Sequence, residues 1–433
     1  MKLRCAICNG DAEKSSFKRA PLPFFTTDQR IYVPGGLEKD EYKSFPLCKN
    51  CYAQLRKGTS FIDQHLKFPI GNAQGLSFWL IPLLDPSSAE GFFDHLKSEP
   101  IYLKNLRLVC RSLDTIEQAV SIQETEVTEE KFLTYTALFH ILDKQGHMRL
   151  ITSADGIYPN RLRKLINEKA ELDKKYPYFM LDKFSPRLSK IRFGFPILAD
   201  FMLHDKKTGG QKDLAELISS VYLGARVNNE FITVMLVKRI KEEFREAGVK
   251  VGIKKLVDLV ELVFKALIMI EFLERLGVIY LPEESVLEYS SNPKDDLVNE
   301  FQKFLRNHQK VIVHGAQRAI CCVGVLAGIT LVEQEENIGS TSFWSRLNRL
   351  DMNFERVRSL VPQTVEKLRQ YKATDKYKNL IAHILAEEIS QLDEMDAKNL
   401  SNDLISLMFA IGLGEGYLLT KKQGELVRAN EQG

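Results

Sequence analysis

Four cysteines near the start of the chain hold the residue pattern most able to do chemistry. Cys5-Ala6-Ile7-Cys8 is followed by thirty-nine residues, 9 to 47, and then by Cys48-Lys49-Asn50-Cys51. Two C-x2-C knuckles supply four thiolates, the set that tetrahedral Zn2+ takes, and a two-residue gap lets both sulfurs of a knuckle turn onto one ion. Asn9-Gly10 follows the first knuckle, and turn formers there let backbone N–H groups point back at the sulfurs. A closed four-cysteine site leaves no coordination position for a substrate. Cys5, Cys8, Cys48 and Cys51 therefore read as a structural zinc centre, with disulfide or redox pairs as the alternative for the same spacing.

The second chemistry suggested by residue type is phosphate binding. The stretch His204-Asp205-Lys206-Lys207-Thr208-Gly209-Gly210-Gln211-Lys212 is a basic, glycine-containing loop, and such a loop approaches a phosphate backbone closely. Lys206, Lys207, Gln211 and Lys212 are its candidate contacts. Further on, Lys303, Arg306, Lys310 and Arg318 form one basic cluster, and Arg346, Arg349, Arg356 and Arg358 another, both suited to backbone neutralisation without sequence reading. The competing reading of each cluster is a solvated surface.

Other chemistries lack their residues. The sequence holds no P-loop, no H-E-x-x-H, no nucleophile elbow and no dinucleotide-type glycine fingerprint at a strand-to-helix turn. Zinc-supported His-Asn-His nucleases also pair C-x2-C knuckles, but they place histidines between them, and residues 9 to 47 contain none. His140 and His147 flank a hairpin and read as core or surface residues. The chain is expected not to be an enzyme.

The elements that must position these residues follow from periodicity. At 433 residues, with 44% hydrophobic and 27% charged residues, the chain is long enough for two or three domains and has the composition of a globular protein. Its net charge of +3 and pI near 8.3 are only mildly basic, so placement of Lys and Arg must decide on nucleic acid. The longest apolar runs are read as short of a membrane span, and Lys2, Arg4 and the first knuckle stand where a signal-peptide core would be. Cytoplasmic residence is expected, with Cys110, Cys321 and Cys322 as reduced, buried thiols.

Prolines and glycines in 17–37 exclude a helix and suggest a β-rich flap between the knuckles. An amphipathic helix is predicted over 52–68 and a strand over 78–83. Strands are predicted over 102–113, 132–142 and 148–157, with a hairpin turn at 143–146, and a helix starts at Pro159. Helices are predicted over 215–227, 231–247 and 254–277. A linker at 280–295 precedes helices over 296–308, 311–335, 341–350, 354–371, 376–389 and 402–420. The fold class expected is α+β: a zinc-knuckle region with a β-rich insert, a small mixed unit, then a mainly helical C-terminal half ending in a bundle. Domain boundaries are drawn at 1–100, 101–184, 185–290 and 291–433.

Read together in chain order, several blocks resemble the large subunit of the type I-B CRISPR–Cas interference complex, Cascade. They are Cys5-Ala6-Ile7-Cys8-Asn9-Gly10 with Phe45-Pro46-Leu47-Cys48-Lys49-Asn50-Cys51, Leu55-Arg56-Lys57-Gly58 and Ile81-Pro82; Tyr158-Pro159-Asn160-Arg161-Leu162-Arg163-Lys164-Leu165; and Ile218 to Gly224. Val323 to Gly328, Phe343 to Leu350 and Phe409 to Gly414 complete the series. The resemblance implies a non-catalytic role in RNA-guided DNA recognition. Such a subunit reads a short flanking motif in duplex DNA, assists R-loop formation, holds the displaced strand and recruits a helicase–nuclease. Its implied partners are guide RNA, target DNA, the backbone and handle-binding subunits, and a small subunit corresponding to the C-terminal bundle. Family members usually carry a sizeable region ahead of the zinc element, so the resemblance implies a compact variant. A version serving a CRISPR-associated transposon, recruiting transposition proteins, is the nearest alternative; a stand-alone zinc-ribbon DNA-binding protein is the next.

Overall fold

A computed structural model describes residues 3–12, 45–70, 75–83, 134–142, 148–175, 195–203, 210–249, 253–281, 295–312, 315–339, 342–389 and 399–432. The flap at 17–37, the strand predicted over 102–113, the turn at 143–146 and most of the 280–295 linker lie outside these residues. The chain is α+β, with a small sheet, the four cysteines gathered near the N-terminus, and a helical C-terminal half. It divides into two compact units: residues 1–167 with 194–223, and residues 168–193 with 224–433.

In the first unit, helix α1 (Lys49–His65) leads into a four-stranded antiparallel sheet in the order β1 (Lys67–Pro69), β2 (Leu76–Leu83), β3 (Thr134–Leu142) and β4 (Met148–Ile157). Phe78 lies opposite Phe68 on one side and Phe139 on the other, at ring distances of 5.3 and 5.4 Å. Period-two alternation puts these rings on one face. That face is closed by aromatic residues from α3 (Phe195–Met202) and α4 (Gly210–Leu223): Tyr222 sits 5.8 Å from Phe78 and 5.4 Å from Phe195. Helix α2 (Pro159–Lys175) starts on proline, whose missing N–H costs nothing in a first turn. Arg161 reaches from that turn to the end of α4, donating from Nε and Nη2 to the Val221 carbonyl at 3.0 and 2.7 Å. Ser219 donates to the Ser153 carbonyl. Two separate sequence blocks, 158–165 and 218–224, are thus parts of one contact.

The second unit carries α5 (Asn229–Val249), α6 (Ile253–Arg275), α7 (Asp296–Asn307), α8 (Ala316–Ile338), a 3-10 segment (Ser342–Leu350), α9 (Phe354–Gln370), the short α10 (Ala373–Lys376) and α11 (Lys378–His383), and α12 (Asn402–Gln432). Its axis is the pair α8 and α12. A Cβ added at Gly412 would run into the Cys321 carbonyl oxygen, one at Gly324 into that of Phe409, and one at Gly416 into that of Val325. The backbones touch because glycine leaves room for nothing else. By length and composition both helices would pass as membrane spans, against the expectation above, but 94% and 83% of their apolar windows are buried in the bundle. A helix that is apolar all round is here a core helix.

Polar side chains fix the rest of the unit. Lys241 of α5 reaches Asp351 at 2.7 Å and Asp403 of α12 at 3.2 Å, and its ring neighbour Phe244 stacks on Trp344 at 4.1 Å. Buried Glu271 of α6 is bonded by Lys175 Nζ at 2.8 Å and lies 2.9 Å from His308 Nδ1. Several predicted elements differ in detail: the helix predicted over 52–68 ends at His65, and Lys67–Pro69 is strand β1. Helix α8 begins at Ala316 instead of 311, after Gly315 with φ 79°. The 341–350 helix is a 3-10 segment that ends in left-handed residues. The 376–389 helix is instead α11, separated from α10 at Tyr377, followed by a π-turn at Ile384–Glu388.

Candidate metal centre and basic surface

The first knuckle is a tight backbone loop. Cys5 N–H donates to the Gly10 carbonyl at 2.7 Å and Asn9 N–H to the Cys5 carbonyl at 2.9 Å, while Asn9 takes φ 56°, a left-handed value that asparagine tolerates. Arg4 pairs with Asp11 across the loop at 3.3 Å. The second knuckle is a helix start. Cys48 is the N-cap of α1 and its sulfur accepts from Cys51 N–H at 3.4 Å, placing Cys51 in the first turn. Ala6 N–H donates to the Pro46 carbonyl at 2.8 Å and ties the knuckles together.

The four Sγ atoms lie within 4.8 Å of one another, and Cys8 and Cys48 are 3.8 Å apart. Four thiolates at the ordinary Zn–S length stand about 3.8 Å apart in a tetrahedron, so the donor set fits Zn2+. Gly10 leaves space where a Cβ would lie 3.3 Å from the Cys8 sulfur. The thiols are unequal: backbone N–H donation, from Cys8 first, brings Cys5 down to about 6. Burial and the surrounding sulfurs push Cys51 up to about 12. A divalent cation among the four sulfurs would offset the mutual repulsion of their thiolates. All four positions are protein thiolates, so a bound ion would be a fold-holding one.

The basic candidates separate on inspection. Lys206 and Lys207 lie outside the described residues. Gln211 and Lys212 are in the first turn of α4 instead of a loop, Gln211 half-buried and Lys212 3.6 Å from Glu216. Lys303 and Arg306 are exposed on α7, and exposed Lys310 pairs with Glu274 at 2.9 Å. Arg318 is 6% exposed on α8, so a backbone-tracking role does not fit it; a helix buried on every side takes its charged residue inward. Arg346, Arg349 and Arg358 are exposed and Arg356 half-buried. Arg356 Nη2 donates to the Arg346 carbonyl at 2.9 Å, and Arg346 Nη1 to Gln363 Oε1 at 3.0 Å. The 3-10 segment and the first turns of α9 therefore form one arginine-rich surface.

Among the described acids and histidines near the sheet, Asp155 is exposed and accepts from Ser153 at 3.0 Å. His140 is buried edge-on to Trp79, and burial lowers its pKa. His147, Asp143, His204 and Asp205 lie outside the described residues. Sequence reading missed the roles of Arg161 and of the Glu271–His308 pair. Arg161 was visible only as one of several cations on a helix, and residues 271 and 308 carry no local signal that links them.

These features define a class: an α+β protein with a four-cysteine cluster whose spacing fits a zinc ion, and a glycine-packed helical half bearing an arginine-rich surface. The comparison with protein families makes the class specific. The model for the central domain of CRISPR-associated protein TM1802 matches residues 2–157, and that for its C-terminal domain matches residues 193–425. The chain belongs to the CRISPR-associated protein TM1802 family. No curated protein matches it.

Proposed function

We propose that the chain is the non-catalytic large subunit of a type I-B CRISPR surveillance complex. In this reading it contacts the flanking motif of duplex target DNA beside the guide RNA, assists strand opening and holds the displaced strand. It joins backbone, handle-binding and small subunits, presents the opened target to a helicase–nuclease, and works in the cytoplasm. The match to both TM1802 domains carries the proposal. The surface of Arg346, Arg349, Arg356 and Arg358 supports it, because cations fixed by neighbouring groups neutralise a phosphate backbone without reading bases. Arg318 is not part of it.

The test is reconstitution with the guide-loaded backbone complex. Wild-type chain should co-purify with that complex and raise its affinity for a guide-matched duplex. R346A/R356A/R358A should co-purify equally but lose several-fold in affinity, with a shallower salt dependence. Equal affinity and equal salt slope for the triple variant would remove the arginine surface from the account. Failure of the wild-type chain to join the complex would remove the account itself.

A further inference from the structure

Among the described residues, five that are not glycine hold a left-handed backbone: Asn9, Asn348, Arg349, Leu350 and Lys372. Any side chain there meets a steric cost that glycine avoids. Three of the five have a reason inside the chain. Asn9 shapes the knuckle loop, Asn348 donates from Nδ2 to the Asp351 carbonyl at 3.2 Å, and Leu350 is fully buried.

Arg349 (φ 57°, ψ 27°) and Lys372 (φ 55°, ψ 24°) have no such reason. Both are exposed, and neither side chain makes a hydrogen bond or ion pair among the described residues. The chain itself uses glycine for this conformation at the ends of other helices, as at Gly224, Gly277 and Gly339 with φ of 70°, 72° and 65°. Lys372 occupies the same kind of position just past α9, where its N–H donates to the Arg369 carbonyl at 3.0 Å. Lys367 and Arg369 already place cations on the last turn of that helix, so the helix dipole does not call for a third.

The two residues bracket α9, whose 17 residues rise about 25 Å. Of the neighbouring cations, Arg346 just before this span is held by Gln363, and within it Arg356 by the Arg346 carbonyl and Lys367 by Gln370 at 2.8 Å. Two nearby carboxylates are occupied, Asp351 by Lys241 and Glu366 by Arg369. We propose that Arg349 and Lys372 are anchor points, one at each end of α9, for a phosphodiester backbone laid along this helix. Their side chains are kept at strained positions because they act on a molecule outside the chain. The inference rests on the nucleic-acid reading above and extends it to Lys372 and to the two ends of the contact.

The test uses the full-length chain, a labelled 30-nucleotide single strand and a labelled 30-base-pair duplex, each titrated across salt concentrations. Arg349→Gly and Lys372→Gly should leave the melting temperature unchanged or raised, since strain is relieved. Each should weaken binding and reduce the salt slope by about 0.7 on the single strand or about 0.9 on the duplex. The probe that shows the loss identifies which form of nucleic acid lies on α9. Arg349→Lys should keep most of the slope. If the glycine variants bind both probes like wild type while R346A/R356A/R358A loses binding, the anchor assignment fails and the broader reading stands. A marked drop in melting temperature for the glycine variants would also overturn it, by giving the side chains a structural role. Wild-type chain that binds neither probe would overturn the anchor assignment, whereas the broader reading falls only if the chain fails to join the guide-loaded complex.

Discussion

Cys48 has two places in the fold, as an N-cap whose sulfur accepts the Cys51 N–H and as one of the four clustered cysteines that fit a zinc ion. Cys48→Ser keeps a capping oxygen and removes the thiolate, so it separates the two roles. Purified wild-type chain should carry one zinc per chain by elemental analysis, and C48S far less, with a lower melting temperature; equal zinc in both would contradict the four-thiolate site. At Glu271 the issue is charge. Burial opposes ionisation, but His308 and then Lys175 outweigh it and hold the carboxyl near 2 against an ordinary 4.5. A depressed carboxyl contributes stability that is present above about pH 4.5 and lost as pH falls toward 2. Burial also lowers His308 below 6.5, so the neutral imidazole favours the fold above that value and its contribution declines below it. Thermal melting of the chain should therefore weaken from about pH 6.5 downward. E271Q should cost about 3–5 kcal/mol at pH 7 and flatten the acid part of the profile; an unchanged profile would show that the pair does not set it.

Among the elements, α8 and α12 depend on glycine more than on any apolar side chain. Gly412→Ala drives a methyl group into the Cys321 carbonyl, and overpacking of this kind costs about 1–3 kcal/mol or more when backbone cannot shift. Gly424→Ala, on the same helix with open space around it, should be neutral or slightly stabilising; urea midpoints of the two variants check this contrast. The difference also shows what a sequence discloses. The cysteine spacing, the apolar run at 78–83, the strands flanking the 143–146 turn and the apolar stripe of α6 announce their elements because each is a local pattern. The helical spacing of Phe343, Leu347 and Leu350 predicts a helix where the chain forms a kinked 3-10 segment, because the left-handed backbone that ends it has no local sequence signal. Arg318 was counted as an outward cation for a similar reason: charge says outside, and only the packing of α8 says otherwise. The start of α4 at Gly210 took Gln211 and Lys212 out of the loop in which glycine pairs suggested they lay.

For the whole molecule, the four-cysteine cluster, sheet and helical half fall within two matched domains of one CRISPR-associated family, and the blocks that carried the resemblance are largely structural. Arg161 meets Val221, and the 323–328 block meets 409–414 across the glycine contact. Resemblance therefore reports the scaffold, and the exposed arginines report what the scaffold presents. The most direct measurement is a gel shift of guide-matched duplexes that differ only in flanking sequence, made with the guide-loaded backbone complex in the presence and absence of this chain. The account predicts tight binding that depends on both the chain and the flank. Binding by the complex that is indifferent to the flank, or that is unchanged when the chain is left out, would contradict it.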